Sequence, residues 1–261
     1  MIGIFDSGLG GLTVMREVMA HLPGYDLIYF GDTARTPYGS KSPDTVIQYA
    51  LQIGEWLVDK GADLIVTACN TVSSLATKAL RERFDVPVFE VVSPAVGLVA
   101  ENRRIRCAGV IGTRATIDSG VYERMIRAKR PDISIYSRAC PLLVPLVEEG
   151  WSKRAETKRI VKKYLYPLRL KQIDTLILGC THYPILKDVI RIKAGKRVRI
   201  IDSSEAIAAA IKGFLEEHPE IEGQLNRNSA HTIYVSDITE HFRRIAQDIL
   251  GIAVRLEHVR L

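Results

Sequence analysis

Cys69 and Cys180 occupy near-duplicate settings, Asp63-Leu-Ile-Val-Thr-Ala-Cys69-Asn70-Thr71 and Asp174-Thr-Leu-Ile-Leu-Gly-Cys180-Thr181-His182. Each thiol follows an apolar run of strand type and precedes a hydroxyl-rich helix start. The partial positive charge and free N–H groups of a helix N-terminus favour thiolate over thiol. One lone thiol would suggest a covalent nucleophile. Two, one in each half of the chain, suit taking a proton from one face of a substrate and returning one to the other. His182, two residues beyond Cys180, stands where it can relay a proton to that sulfur.

Other chemistries could use the same residues. A zinc site would draw on Cys69, Cys180 and His182, but zinc ligands come in close-spaced pairs and no Cys-x₂₋₄-Cys occurs, so no metal is expected. A redox dithiol could pair Cys69 with Cys180, although its cytosolic signature is a local CxxC. A pyridoxal enzyme would need a Schiff-base lysine, for which Lys41 is the one candidate. Cys107 reads as a small core residue of an apolar strand, and Cys140 receives no role.

Two loops complete the set. Asp6-Ser7-Gly8-Leu9-Gly10-Gly11 is rich enough in glycine to bring a ligand against backbone N–H groups. Thr13 stands where a dinucleotide fingerprint requires its last glycine, and the phosphate-loop Lys-Ser/Thr is absent. A small carboxylate-bearing ligand fits better, with Asp6 orienting an amine or a proton-transfer partner. In Gly31-Asp32-Thr33-Ala34-Arg35-Thr36-Pro37-Tyr38-Gly39-Ser40, Tyr38 and Gly39 can donate to a carboxylate while Arg35 braces the loop through Asp32.

The elements that carry these residues alternate. Strand-like runs at 2–5, 26–30, 64–67, 88–91, 108–111, 133–136, 175–178, 198–201 and 232–235 are separated by helical segments, which implies an α/β fold with parallel sheets. Ser42-Pro43 opens a helix that Lys60-Gly61 closes. A helix is expected to start at Thr71 or Ser73, and another immediately beyond Cys180. Both cysteines then fall at the carboxyl edge of a parallel sheet, where such folds bind ligands. The chain of 261 residues suits two lobes: 1–93 plus 205–261 carrying Cys69, and 94–204 carrying Cys180. The first crossing is expected at a turn at Ser93-Pro94, the return at Asp202-Ser203-Ser204.

Composition narrows the class. Hydrophobic content of 47% and charged content of 25% are those of an ordinary globular protein. The apolar runs are far too short to span a bilayer, and Met1 leads at once into a strand without a basic leader, so no membrane association and a cytoplasmic location are expected. The net charge is +6, with the first hundred residues net acidic. Lys158, Arg159, Lys162 and Lys163 fall on a helix-like stretch without interleaved aromatics, which reads as a solvated face; no nucleic-acid partner is expected.

Read together, Gly3-Ile-Phe-Asp6-Ser7-Gly8-Leu9-Gly10-Gly11-Leu-Thr, Gly31-Asp32-Thr33-Ala34-Arg35-Thr36-Pro37-Tyr38-Gly39, Ala68-Cys69-Asn70-Thr71, Val110-Ile-Gly-Thr113, Pro145-Leu-Val-Glu148 and Gly179-Cys180-Thr181-His182-Tyr183-Pro184 resemble the glutamate racemases of the aspartate/glutamate racemase family. The resemblance implies cofactor-independent interconversion of L- and D-glutamate, supplying D-glutamate for peptidoglycan. It implies two α/β lobes enclosing the substrate, with Cys69 and Cys180 as the acid/base pair. Asp6 would assist Cys69, and His182 and Glu148 would assist Cys180, with Glu149 adjacent as the competing acid. Asp6, Ser7, Tyr38, Gly39, Asn70, Thr71, Thr181 and His182 would contact substrate, and a homodimer is expected. An aspartate-specific racemase is the alternative within the class. Without an electron sink, the site must stabilise the developing carbanion through fixed donors and exclusion of water.

Overall fold

Ten strands form two fully parallel sheets in the computed structural model, which describes residues 1–252 and 255–261. The strands are β1 (Ile2–Asp6), β2 (Leu27–Gly31), β3 (Leu64–Thr67), β4 (Val88–Glu90), β5 (Cys107–Gly112), β6 (Ser134–Ala139), β7 (Thr175–Gly179), β8 (Arg199–Asp202), β9 (His231–Val235) and β10 (Leu256–His258). The larger sheet has the order β10-β9-β2-β1-β3-β4 and the smaller β6-β5-β7-β8. Helices cover both faces of each, and the architecture is the expected two-lobed α/β fold.

The period-two alternation of strands sorts each sheet's side chains into two cores. In the larger sheet Ile2, Ile4, Leu27 and Tyr29 face one cluster, while Phe5, Ile28 and Phe30 face the other. In the smaller, Leu176 and Leu178 point opposite to Ile177. Strands buried on both sides lose the polar alternation of a half-exposed strand, which is why they read as unbroken apolar runs. β10 escaped that reading because only Leu256 of its three residues is buried.

Helix punctuation agrees at Pro43–Asp59, where Ser42 Oγ accepts from Thr45 N at 3.4 Å, Pro43 occupies the first turn, and Gly61 takes a left-handed φ of +86°. Three expectations need correction. Ser93-Pro94 is not a turn: both residues lie in the first turn of the helix Val92–Glu101, whose leading N–H groups are taken by Glu90. A proline costs little there, since first-turn N–H groups have no partner within the helix. The helix after Cys69 starts at Asn70, earlier than Thr71, with Cys69 as its N-cap. Beyond Cys180 comes a 3₁₀ turn, Tyr183–Leu186, and the α-helix begins only at Lys187. Tyr183 N there donates to Cys180 O, a contact closed at the shorter 3₁₀ spacing.

Two segments cross between the sheets, the helix Val92–Glu101 and the helix Ser203–Glu217, the latter capped by Asp202 accepting from Ser204 N at 3.0 Å. Ile207, Ile211 and Leu215 pack into the larger sheet's core while Ala206 joins the smaller sheet's, so this helix belongs to both.

Candidate active site

Both sheets present a topological switch point, the gap at which consecutive connections leave in opposite directions and loops splay apart. In the larger sheet it lies between β1 and β3, whose ends deliver Asp6-Ser7 and Cys69. In the smaller it lies between β5 and β7, whose ends deliver Thr113 and Cys180. The two gaps face one another. A narrow cavity of about 20 Å³ lies between them, walled from the first sheet by Ser7, Thr36, Pro37, Tyr38, Gly39, Cys69, Asn70 and Thr71, and from the second by Thr113, Val144, Cys180, Thr181 and His182.

Seven of the eight expected substrate contacts line that cavity. Asp6 does not. It is fully buried behind the wall, where its carboxylate accepts from Gly8 N at 3.0 Å and from Thr181 Oγ1 at 3.3 Å. Burial raises its pKa against the opposing pull of His182 and these hydrogen bonds. The side chain that touches Cys69 is Ser7, whose Oγ lies 3.6 Å from the sulfur. Asp6 acts on Cys69 through charge. Burial first, and Asp6 second, push the Cys69 thiol up to about 12. The helix start expected to activate this sulfur does pull the other way, through the Val72 N–H, but burial outweighs it.

On the other wall His182 stands between Cys180 and Glu148. His182 Nδ1 lies 3.8 Å from Cys180 Sγ and Nε2 lies 3.2 Å from Glu148 Oε1. Burial opposes a charge on this imidazole, but the hydrogen bonds to Cys180 and Glu148 prevail and raise it to about 10. Glu149 is exposed, and Glu148 is the acid that reaches His182.

The glycine-rich loop is not an open anion cradle. Gly8 N is spent on Asp6, Tyr29 OH donates to Gly8 O at 2.6 Å, and a Cβ on Gly10 would meet Thr181 Oγ1 at 2.3 Å and His182 Nδ1 at 2.5 Å. Its glycines let one lobe's backbone seat against the other's Thr181-His182 turn. Arg35 braces the second loop as expected, its Nε 2.5 Å from Asp32. Tyr38 OH is likewise committed to Asp32, so Tyr38 offers the cavity its ring and no free hydroxyl. Lys41 lines a neighbouring groove with Arg114, away from the cysteines.

Two residues near the site were given no role in the sequence reading, although both lie within its family motifs. Thr113, the N-cap of a short helix, meets Thr71 Oγ1 at 3.0 Å across the lobes. Thr13 Oγ1 lies 3.0 Å from Thr181 O and 3.0 Å from Ser204 Oγ. In the sequence it stood out by failing to match a nucleotide motif and by closing the Gly3–Thr13 run. All four cysteines are free, and among the described residues no group of three or more His, Cys, Asp and Glu side chains is arranged to hold a metal ion. None of the described helices is long and apolar enough to cross a membrane.

Facing switch points with a thiol on each wall of one narrow cavity are the architecture of a two-lobed α/β enzyme of the racemase class. The chain belongs to the Asp/Glu/Hydantoin racemase family, whose model matches residues 10–211. It is 46% identical to the glutamate racemase of Persephonella marina over 260 residues, covering 100% of this chain and 97% of that one. Among solved structures, it is similar to a glutamate racemase of Francisella tularensis in complex with D-glutamate (TM-score 0.91, 39% identity, 99% and 97% of the two chains). It is also similar to the isoform RacE1 of Bacillus anthracis (TM-score 0.94, 35% identity, 100% and 97%). A Picrophilus torridus aspartate racemase shares the fold at 18% identity (TM-score 0.58, 84% and 94%).

Proposed function

We propose that this protein interconverts L- and D-glutamate by proton transfer at the α-carbon, with Cys69 and Cys180 as the two bases. The observation that carries this is the pair of sulfurs on opposite walls of one narrow cavity. A planar carbanion held between them can be protonated on either face. Which product forms depends on which thiol gives its proton. Cys69 rests as a thiol and is the ready donor. Cys180 takes the proton of L-glutamate, and Cys69, once deprotonated, takes that of D-glutamate.

His182, held by Glu148, serves Cys180 as proton reservoir. Asp6 acts from behind the wall and fixes Thr181. Ser7 accepts from the Cys69 thiol. Asn70 and Thr71 on one wall, with Thr181 on the other, orient the ammonium and α-carboxylate, while Gly39 and the Tyr38 ring bound the side-chain end. Exclusion of water strengthens each of these interactions at the moment charge develops.

The many relatives of over 40% identity named glutamate racemases support glutamate over aspartate as substrate. No cofactor enters this scheme. Supply of D-glutamate for peptidoglycan, a cytoplasmic location, a homodimer, and lobes bounded at 1–93 plus 205–261 and 94–204 complete the reading. Circular dichroism of pure L- or D-glutamate with the purified enzyme tests it: both samples should decay to zero ellipticity without added cofactor. Aspartate should be turned over at least about a hundredfold more slowly, since its shorter side chain does not fill the end bounded by Gly39 and the Tyr38 ring. Unchanged ellipticity with both glutamate enantiomers would overturn the assignment.

A further inference from the structure

Asn70 follows Cys69 directly and is only 2% exposed, yet its side-chain amide is half satisfied. Nδ2 donates to Tyr122 OH at 2.8 Å, whereas Oδ1 is buried without a protein partner in the wall of the cysteine cavity. An unmet acceptor in such a place is costly, and a ligand that brings a donor relieves it. The ammonium group of an amino acid is that donor.

Tyr122 comes from the other lobe. It stands on the helix Val121–Lys129, 2% exposed, and its ring rests on Gly179, the residue before Cys180; a Cβ at Gly179 would lie 3.1 Å from the ring edge. One phenol therefore touches the residue after the first catalytic cysteine and the residue before the second. Burial and the nearby Glu90 carboxylate raise its pKa, so the hydroxyl stays protonated and available for hydrogen bonding.

We infer that Tyr122 is a positioning residue for the racemase reaction, acting through Asn70: its hydroxyl pins one end of the amide so that the other faces the substrate ammonium, and does so only when the lobes are together. This rests on the racemase reading. With the hydroxyl gone, the Asn70 amide is free to rotate and to turn its N–H donors toward a cation. Binding suffers first. The thiols are untouched, so chemistry on bound substrate is largely kept.

Tyr122→Phe removes the one oxygen and keeps the ring on Gly179. The variant, Asn70→Ala and the double variant should be compared with wild type by circular dichroism under both enantiomers, with thermal unfolding alongside. The expected result is a KM raised about tenfold in Tyr122→Phe with kcat within about threefold, the loss of one well-oriented bond to a charged group. The double variant should be no worse than Asn70→Ala, because both changes remove the same interaction. Multiplying effects would overturn the inference, as would a KM in Tyr122→Phe within twofold of wild type. A fall in kcat that tracks a lower Tm would reduce Tyr122 to a packing residue and also overturn it. Absence of turnover in the wild-type sample would instead overturn the racemase reading, and the ammonium partner of Oδ1 with it.

Discussion

Among single residues, His182 carries the clearest consequence for pH. Its pKa is raised from 6.5 to about 10 in the folded chain, against burial, by hydrogen bonds to Cys180 and Glu148. Between those values the folded protein keeps a proton that the unfolded chain has lost. The stabilisation is therefore complete below about pH 6.5 and falls away as pH rises through about 10. Urea unfolding at pH 6.5 and pH 10 should show a larger loss of stability in wild type than in His182→Asn. Equal losses would remove His182 from the account. Glu148 and Glu149 separate equally cleanly: only Glu148 touches the imidazole. Glu148→Gln should lower kcat/KM at least about tenfold and bring the His182 pKa down, read by NMR titration, while Glu149→Gln leaves both near wild type. The order of these two acids was legible in the sequence only by aligning the Pro-Leu-Val-Glu148 run. Their distinct environments were not, since exposure of one and reach of the other are set by where the helix Leu143–Glu148 ends.

At the level of elements, the site depends on one lobe's backbone fitting against the other's turn. Gly10 sits against Thr181 and His182 with no room for a methyl group. Gly10→Ala must push the lobes apart, with an overpacking cost of about 1–3 kcal/mol. Since a chain of this size loses about 2–4 °C per kcal/mol, Tm should fall by several degrees and activity more steeply still, because the turn that moves bears Cys180. A Gly10→Ala enzyme with wild-type kcat/KM would contradict the close fit. Nine of the ten strands and the placement of both cysteines at strand ends were readable from apolar runs bounded by polar loops. The local form of the segment after Cys180 was not. Thr181-His182-Tyr183-Pro184 has the residues of a helix start, but the chain tightens into 3₁₀ geometry there and delays the α-helix to Lys187. Likewise Ser93-Pro94 has turn composition and lies inside a helix, because Glu90 supplies the cap that composition alone does not reveal.

The whole molecule is drawn closed. A cavity of about 20 Å³ admits a water molecule and no amino acid, so substrate must enter through separation of the lobes. Across the cleft run the bonds Thr71–Thr113, Asn70–Tyr122 and Thr181–Asp6, each from one lobe to the other. Opening breaks them together, and they re-form only as far as a substrate held between the thiols lets the lobes approach. Small-angle scattering should accordingly report a larger radius of gyration for the free enzyme than after saturation with glutamate, and hydrogen exchange near Thr113 and Thr181 should slow on binding. Identical curves with and without ligand would count against lobe motion. The sequence could announce two lobes and two thiols, but contacts between residues as distant as Asp6 and Thr181 depend on how both sheets are joined by the helices Val92–Glu101 and Ser203–Glu217. No local pattern encodes that.

The most direct measurement follows the α-proton. L-glutamate incubated with the enzyme in D₂O, sampled by NMR at low conversion, should yield D-glutamate carrying deuterium at Cα, while recovered L-glutamate remains protiated. In the proposed scheme the product's proton comes from Cys69 equilibrated with solvent, and the substrate's is held by Cys180. Cys69→Ser and Cys180→Ser should each lose this conversion. Product that retains the original α-proton, or conversion that survives in either variant, would contradict proton transfer between two opposed thiols.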